Sequence, residues 1–205
     1  MINLIANDEK CFPITCGSLE ENDIKIDFGG TLTDHSGDID IEKVAILKPD
    51  QFYNTRDFAT PPKSVDGVVL VKDADSYHLY IAELKSAKRI QSVKQTDIND
   101  KFSTIINNFF QDDFKHIFLD TDYELKTLSL WLICDPVNIR SGRNNPVIYE
   151  KKLKALKSMK GVLADYSLAL RTFSFKGITT PIRIMISPPT IEQAHFIEYA
   201  AEALA

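Results

Sequence analysis

The clearest hydrophobic pattern of the chain lies between residues 65 and 84. Residues 65–71 form a short apolar run after Pro61 and Pro62, and residues 77–84 form a second run rich in aromatic and aliphatic side chains. Turn-forming residues at 73–76 separate the two runs. Apolar runs of this length, bounded by turn residues, are typical of strands. We therefore predict an antiparallel hairpin in which Lys72 lies opposite Tyr77.

The next part of the chain changes to helical spacing. Residues 86–110 contain neither Gly nor Pro, and their apolar side chains recur at intervals that suit a helix. This pattern predicts one long helix or two joined helices. Residues 127–134 (TLSLWLIC) then form a near-continuous apolar run. Such a run is expected of a central strand that is covered on both faces.

Weaker patterns flank this centre. Residues 24–28 alternate like a strand, and residues 39–47 have the apolar spacing of a short helix that ends before Pro49. The C-terminal third predicts three further elements: a lysine-rich helix over residues 149–163, a strand over 181–187 and a helix over 191–204. Helices and strands in this order predict an α/β sandwich built around a mixed sheet.

The predicted hairpin brings two carboxylates together. With Lys72 opposite Tyr77, Asp66 falls opposite Glu83, whereas a shift of one or two residues in the turn would remove this pairing. Directly opposed side chains have their Cβ atoms about 4.5–5.5 Å apart. Carboxylates that close repel each other unless a cation lies between them, and Mg²⁺ accepts few protein carboxylates while keeping water ligands. We therefore predict that Asp66 and Glu83 bind Mg²⁺, with Mn²⁺ as a substitute.

Lys85 completes the predicted group. An acidic residue followed two positions later by lysine occurs six times in the chain, but only Glu83-Leu84-Lys85 ends a well-formed apolar strand. Strand alternation places Glu83 and Lys85 on one face. Phosphodiester hydrolysis uses such a set, because a metal activates bound water while a lysine orients that water or neutralises the reacting phosphate. Since the residues lie at a strand end, we expect alanine substitutions to abolish activity and leave the fold intact.

The two segments SVDGVVL (64–70) and IAELKSA (81–87) resemble the motif core of the PD-(D/E)xK nuclease superfamily. The resemblance covers about residues 39–134 and implies a restriction-endonuclease-like αβββαβ core, with a mixed central sheet flanked by helices. It implies an Mg²⁺-dependent nuclease acting on DNA, with Asp66 and Glu83 as metal ligands and Lys85 as the catalytic lysine. Val65 replaces the proline that names the motif. Many small members act in restriction or antiviral defence, which is an analogy at the level of fold.

Two further site residues follow from the resemblance. Gln95, on the predicted long helix, resembles a helical glutamine found in some branches of the superfamily, and Gln91 is a rival for that role. Members often add an acidic metal ligand from the helix before the hairpin, and Glu42 is the candidate here. For Gln95 and Glu42, a solvated helix face explains the pattern equally well.

Charge is distributed unevenly along the chain. The formal net charge is −5, but residues 1–60 hold 12 acidic and 5 basic residues (−7), whereas residues 61–205 hold 17 and 19 (+2). A locally basic stretch can attract phosphate, although a solvated helix face gives the same pattern. The candidate nucleic-acid contacts are Lys88, Arg140, Arg143, Lys151, Lys154 and Lys157.

These features predict one domain over residues 1–205. It comprises an acidic N-terminal extension with the first core helix (1–60), a catalytic core (61–135) and a basic C-terminal part (136–205). The N-terminus lacks a signal-peptide pattern, no apolar run is long enough to cross a bilayer, and three cysteines form no disulfide framework, so we expect a cytoplasmic protein. One such site cuts one strand, and closed two-fold symmetry is common, so we expect a homodimer or a subunit of a larger complex.

Two alternatives to this interpretation stay open at this point. Asp66, Glu83 and Lys85 could form a solvent-facing hairpin edge in which the lysine merely neutralises the two carboxylates. Alternatively, the chain could be a nuclease-like module that binds nucleic acid or a partner protein without cutting. The presence of all three residues favours activity.

Overall fold

The computed structural model describes residues 1–54, 60–87 and 89–192. The helices and strands before the hairpin are α1 (Ile2–Asn7), β1 (Glu20–Glu21), β2 (Ile24–Lys25), β3 (Asp27–Phe28), β4 (Val44–Leu47) and α2 (Pro49–Asn54). The hairpin and the elements that follow it are β5 (Gly67–Asp73), β6 (Ser76–Lys85), α3 (Gln95–Thr104), a π-helix (Ile105–Asp113), α4 (Lys115–Phe118) and β7 (Glu124–Cys134). The remaining elements are α5 (Pro146–Ser158), α6 (Lys160–Leu168), β8 (Thr172–Phe175), β9 (Ile178–Ile186) and β10 (Thr190–Ile191).

A six-stranded mixed sheet organises these elements, with the strand order β4-β5-β6-β7-β9-β8. Strands β4, β5 and β6 are antiparallel neighbours, and β7 is parallel to both β6 and β9. The predicted α/β class with a mixed sheet flanked by helices is therefore confirmed at this level.

The register of the β5–β6 hairpin agrees with the prediction. Lys72 pairs with Tyr77, and Val68 pairs with Ile81. The last pair, Gly67 with Ala82, leaves Asp66 one position beyond the strand and opposite Glu83 if the register continues. The turn that closes the hairpin places Ala74 at a positive φ of 52°.

Strand β7 occupies the centre of the sheet. Its second half is buried from Leu130 to Cys134, on both faces of the sheet, which explains why the run contains no polar side chain there. Because β6 and β7 are parallel, Lys85 and Cys134 lie side by side at the carboxyl ends of the two strands. The predicted central strand is confirmed.

One face of the sheet packs against helices. Its core includes Phe102 of α3, Phe109 and Phe110 of the π-helix, and Tyr166 of α6. The predicted long helix from residue 86 starts instead at Gln95, because Ile90–Ser92 forms a separate 3-10 turn that buries Ile90. The ring centroids of Phe109 and Phe114 lie 4.3 Å apart. These two residues are five positions apart, which is the spacing of a π-helix and not the spacing of three or four residues of an α-helix.

The other face of the sheet is covered by the N-terminal part of the chain. Leu19, Ile24, Ile26 and Leu32 are all buried and pack against Val69, Tyr80 and Trp131, among other side chains of the sheet. The acidic first third is therefore not a mere extension, because it supplies the apolar layer that covers one side of the sheet.

None of the helices in the described ranges is long and apolar enough to span a membrane.

Several predicted elements are corrected by the structure. Residues 39–47 are a turn followed by strand β4, and Pro49 starts helix α2 instead of ending one. Short apolar runs suit either element, and β4 is a strand because Val44 and Ile46 enter one core while Leu47 enters the other. The lysine-rich helix divides at Met159 into α5 and α6, and strand β8 was not predicted. The predicted C-terminal helix lies almost wholly outside the described residues, which end at 192 with β10 just before.

Candidate active site

Asp66 lies at the entrance to β5, where its carboxylate is fixed by the neighbouring strand. The backbone N–H of Leu84 donates a hydrogen bond of 2.6 Å to Asp66 Oδ2. Burial raises the pKa of Asp66 to about 6, and the negative charge of Glu83 adds to the rise. The predicted closeness of the two carboxylates therefore has an electrostatic consequence, because the charge of Glu83 makes Asp66 harder to ionise.

Glu83 is the centre of the site. Its side chain is 0% exposed, and its Oε1 accepts contacts from Lys85 Nζ at 2.5 Å and Lys101 Nζ at 2.7 Å. Its Oε2 is buried without a hydrogen-bond partner among the described residues. Complete burial rules out the solvent-facing hairpin edge for Glu83. It also means that this side chain lies within the core and not beyond it.

The alternation of β6 explains why the lysines meet Glu83. Leu79 and Ile81 face the helix-covered core, so Glu83 and Lys85 lie on the same face of β6, nearer the end of the strand. Burial alone would lower the pKa of the Lys85 ammonium. The negative charges of Glu83 and of the other nearby carboxylates outweigh this effect, so the pKa of Lys85 is raised. Lys85 therefore remains a cation in the metal-free site.

Lys101 was missed by the sequence analysis. It lies on α3 three residues after Ile98 and four before Ile105, which are both wholly buried. This spacing places Lys101 on the helix face that packs against the sheet. A lysine on an otherwise apolar helix face was the available signal, because such a side chain needs a counter-charge to be buried. Glu83 provides that charge.

Glu21 is a third carboxylate near Asp66, and no local sequence pattern distinguishes it as a site residue. It precedes the two-residue turn Asn22–Asp23, whose positive φ angles of 49° and 63° are those of a tight hairpin between β1 and β2. Glu21 is an exposed residue, but its partial burial raises its pKa, and the charge and hydrogen-bonding contact of Asp66 raise it further. Arg140 holds the turn from outside, donating a 3.2 Å hydrogen bond to the Asn22 carbonyl and lying 3.5 Å from Asp23 Oδ2.

The two glutamines lie elsewhere. Gln91 and Gln95 border a shallow surface pocket together with Asp165 and Tyr166 of α6. Gln95 precedes Lys101 by six residues, so the two side chains point to different faces of α3. Lys101 and not Gln95 is therefore the residue of this helix that the structure brings to Glu83.

Glu42 is not brought to the site. It lies in the turn before β4, next to Lys43, whose carbonyl accepts a 2.7 Å hydrogen bond from the Lys72 N–H at the turn end of the hairpin. Asp66 lies at the other end of β5, six residues from Lys72, which corresponds to about 20 Å of extended strand. Glu42 is a candidate only if residues 39–47 form the first core helix, whereas the turn found there leaves Glu42 exposed at the opposite end of β5 from Asp66.

The candidate nucleic-acid contacts have different surroundings. Arg140 is engaged by the β1–β2 turn, whereas Arg143 and the α5 lysines Lys151, Lys154 and Lys157 are exposed, with no ion pair to any described residue. Helix α5 buries none of its residues, so these lysines lie on a helix at the surface of the protein. Lys88 lies outside the described residues.

The donor set of this group suits a hard cation. No three His, Cys, Asp or Glu side chains converge closely enough to form a complete metal cage within the described ranges. Mg²⁺ does not require one, since it is commonly held by one or two carboxylates and completes its octahedron with water and substrate oxygens. Asp66 and Glu83 are two such carboxylates, and the unpartnered Glu83 Oε2 is an available ligand atom.

Comparisons with known proteins give this chain no relative. No family model matches it, and neither a curated protein nor a solved structure matches it significantly.

Proposed function

We propose that the chain is an Mg²⁺-dependent nuclease that hydrolyses phosphodiester bonds of DNA. The observation that carries the proposal is the wholly buried Glu83 beside Asp66, with one oxygen unpartnered and two lysines on the other. Nothing in a folded core requires a carboxylate to be buried in this way, since an unsatisfied buried oxygen is costly. Buried carboxylates with a raised pKa, such as Asp66, concentrate at functional sites.

The fold supports the same proposal. When the short strands β1–β3 and helix α2 are left out, the order α1, β4, β5, β6, α3, β7 matches the αβββαβ sequence that the PD-(D/E)xK resemblance implies. Helix α1 then takes the place that the sequence analysis gives to residues 39–47. The acidic residue and the Glu-x-Lys stand at the adjacent ends of the second and third strands of that unit. We therefore propose a restriction-endonuclease-like core, and with it an action on DNA, a role in restriction or defence, and assembly as a homodimer or within a larger complex.

The side chains divide the chemistry among them. When bound, Mg²⁺ would polarise the scissile phosphate and acidify a water molecule. Asp66 and Glu83 would hold it, the Leu84 N–H fixes the orientation of Asp66, and Lys101 fixes that of Glu83. Lys85, whose side chain is 29% exposed, is the ammonium able to reach a phosphate or its attacking water. A positive group at that position stabilises the charge that develops in the transition state.

A cleavage assay tests this function. We expect the protein to cut DNA in Mg²⁺ or Mn²⁺, to lose activity in EDTA, and to lose it by about 100-fold or more in Lys85→Ala. The assay compares supercoiled, linear and single-stranded DNA with RNA of the same sequence. Lys126→Ala is the control, because Lys126 is an exposed lysine that pairs with Asp73 at the turn end of the hairpin, away from Asp66 and Glu83.

Two results would reject the nuclease. One is the absence of cleavage of every substrate in every metal. The other is a Lys85→Ala variant as active as the wild type, which would assign any cleavage to a contaminant.

One observation favours the alternative of a silent nuclease-like module. Apart from the exposed Glu21, the group of Asp66, Glu83, Lys85 and Lys101 balances two negative charges with two positive ones, so this inner group is neutral without a metal. A module of this kind would bind nucleic acid or a partner protein with equal affinity in EDTA and in Mg²⁺. Binding that is independent of metal, without any cleavage, would select this alternative.

Helix α5 is the proposed contact to the phosphate backbone. Reversing the charges of Lys151, Lys154 and Lys157 together is expected to weaken DNA binding, because fewer counterions are released. The slope of log K against log salt concentration should become shallower by about 2 to 3 units. Affinity measured across a salt series by fluorescence anisotropy gives this slope directly.

A matched variant reverses three lysines elsewhere. Lys72 and Lys126 lie at the turn end of the hairpin and Lys115 lies on α4, so none of them adjoins Asp66 or Glu83. The control should keep the wild-type slope if α5 forms the interface. If the slope of log K against log salt concentration is the same in both triple variants, α5 is an ordinary solvated helix and not the DNA interface.

A further inference from the structure

Two ammonium groups converge on a single carboxylate oxygen. Lys85 approaches Glu83 Oε1 from the same strand and Lys101 approaches it from α3, while Glu83 Oε2 accepts no hydrogen bond from the described residues. One ammonium is enough to balance one carboxylate. The second ammonium therefore lies where it also offsets the negative charge of Asp66, on the side of Glu83 that faces α3.

The charges of the whole cluster suit one divalent ion. Three carboxylates, of Glu21, Asp66 and Glu83, and two ammonium groups, of Lys85 and Lys101, give the ionised cluster a charge of −1. Asp50 and Lys48, which border this group, cancel each other. One divalent cation with one phosphodiester brings the total to zero. Two divalent cations with one phosphodiester would leave +2 in a largely buried site, which is costly.

The geometry agrees with the charge count. Two-metal phosphodiesterases hold their ions about 3.5–4 Å apart, and both ions need carboxylate ligands. Here the Oε1 atom of Glu83 is held by two lysines, and no three acidic or histidine side chains converge on one point in the described part of the chain. Only one oxygen of Glu83 is left for a cation.

We infer that Lys101 occupies the place of a second metal ion, so that the site holds a single divalent cation. The inference rests on the proposed function and deepens it. Lys101 is a positioning residue for Glu83 in the metal-free protein, and its side chain, 20% exposed, adds a fixed positive charge beside the substrate phosphate. A lysine can neutralise developing negative charge at that position as a second ion would.

Binding of Mn²⁺ to the full chain tests this inference. Isothermal titration calorimetry, with the electron paramagnetic resonance signal of free Mn²⁺ as a second readout, is expected to give one ion per chain. Lys101→Met should bind that ion on the order of tenfold more tightly, because a positive charge roughly 5 Å from a divalent ion is removed. Its cleavage rate should nevertheless fall. A residue that only supports the fold would not tighten metal binding when it is removed.

Controls keep the test decisive. Lys126→Met removes an exposed lysine that pairs with Asp73 at the turn end of the hairpin, away from Asp66 and Glu83, and should leave Mn²⁺ affinity unchanged. Lys101→Gln, which keeps a donor for Glu83, replaces the methionine variant if circular dichroism shows that the latter is unfolded. Two Mn²⁺ ions per wild-type chain, or unchanged or weaker binding in both Lys101 variants, would overturn the inference while a metal-dependent nuclease stands. Absence of Mn²⁺ binding together with absence of cleavage would overturn the proposed function itself.

Discussion

Asp66→Asn is expected to stabilise the metal-free protein while it abolishes cleavage. The pKa of Asp66 is raised from 3.8 to about 6 by burial and by the charge of Glu83. Keeping this carboxylate ionised therefore costs roughly 1 to 3 kcal/mol above pH 7, at about 1.4 kcal/mol per pKa unit. Asparagine removes the charge, and its side-chain oxygen can still accept the hydrogen bond from the Leu84 N–H. The free energy of unfolding in urea and EDTA should rise accordingly.

The pH dependence of this gain has a definite sign. Because the pKa in the folded state lies above the pKa in the unfolded state, the folded protein takes up a proton as the pH falls. The destabilisation by Asp66 is thus complete above about pH 7, shrinks as the pH falls through about 6, and disappears below about 4. The difference between wild type and Asp66→Asn should follow the same course in urea titrations from pH 4 to 8.

Asp97→Asn provides the comparison. Asp97 lies on α3, where its hydrogen bond to Lys63 lowers its pKa, so neutralising it should bring no gain in stability. A gain of Asp66→Asn that did not change with pH would show that its cause is not the raised pKa of this carboxylate. A loss of stability at pH 8 would show that Asp66 is a structural partner of the strand ends and not a strained site residue.

The hairpin of the candidate site could be predicted because its signals are local. The turn cluster at 73–76 and the alternation on both sides fix the register, and the register alone places Asp66 opposite Glu83. The central strand β7 could be predicted equally well, because a strand buried on both faces contains few residues that are not apolar. In both cases the information lies within a few residues of the feature itself.

Local patterns failed where the decisive contact lies far away along the chain. Residues 39–47 suit a helix or a strand, and only pairing of β4 with β5 decides between them. Glu21 reaches Asp66 because the N-terminal segment covers the second face of the sheet, which no local period in an irregular segment reveals. The wrong prediction for Glu42 has the same cause as the wrong helix at residues 39–47, because Glu42 was a candidate ligand only as part of that helix.

The burial of Glu83 was also beyond the sequence pattern. A residue near the end of a strand is commonly exposed, and the first expectation was that alanine would leave the fold intact. Helix α3 closes over this strand end and brings Lys101 with it, so the last acidic residue of β6 becomes part of the core. The consequence is that Glu83 contributes to stability as well as to the site.

Glu83→Ala is therefore expected to destabilise the protein strongly. The substitution leaves Lys85 and Lys101 partly buried without their common counter-charge, and removing one partner of a buried ion pair costs about 3–5 kcal/mol. Both lysines retain some exposure, at 29% and 20%, so solvent screening reduces the expected loss to roughly 2–4 kcal/mol. Urea denaturation at pH 7.5 in EDTA measures this loss, and Asp66→Asn measured beside it should shift in the opposite direction.

A double variant separates the charge effect from a loss of packing. Glu83→Met with Lys101→Met replaces the ion pair by two apolar side chains of similar length, and such replacements are often neutral or stabilising. We expect the double variant to recover at least half of the stability that Glu83→Met alone loses, because one unpaired ammonium is removed and Lys85, the more exposed of the two, can turn towards solvent. Equal losses in the single and double variants would mean that the volume of Glu83, and not its pairing with Lys101, holds α3 against the end of β6.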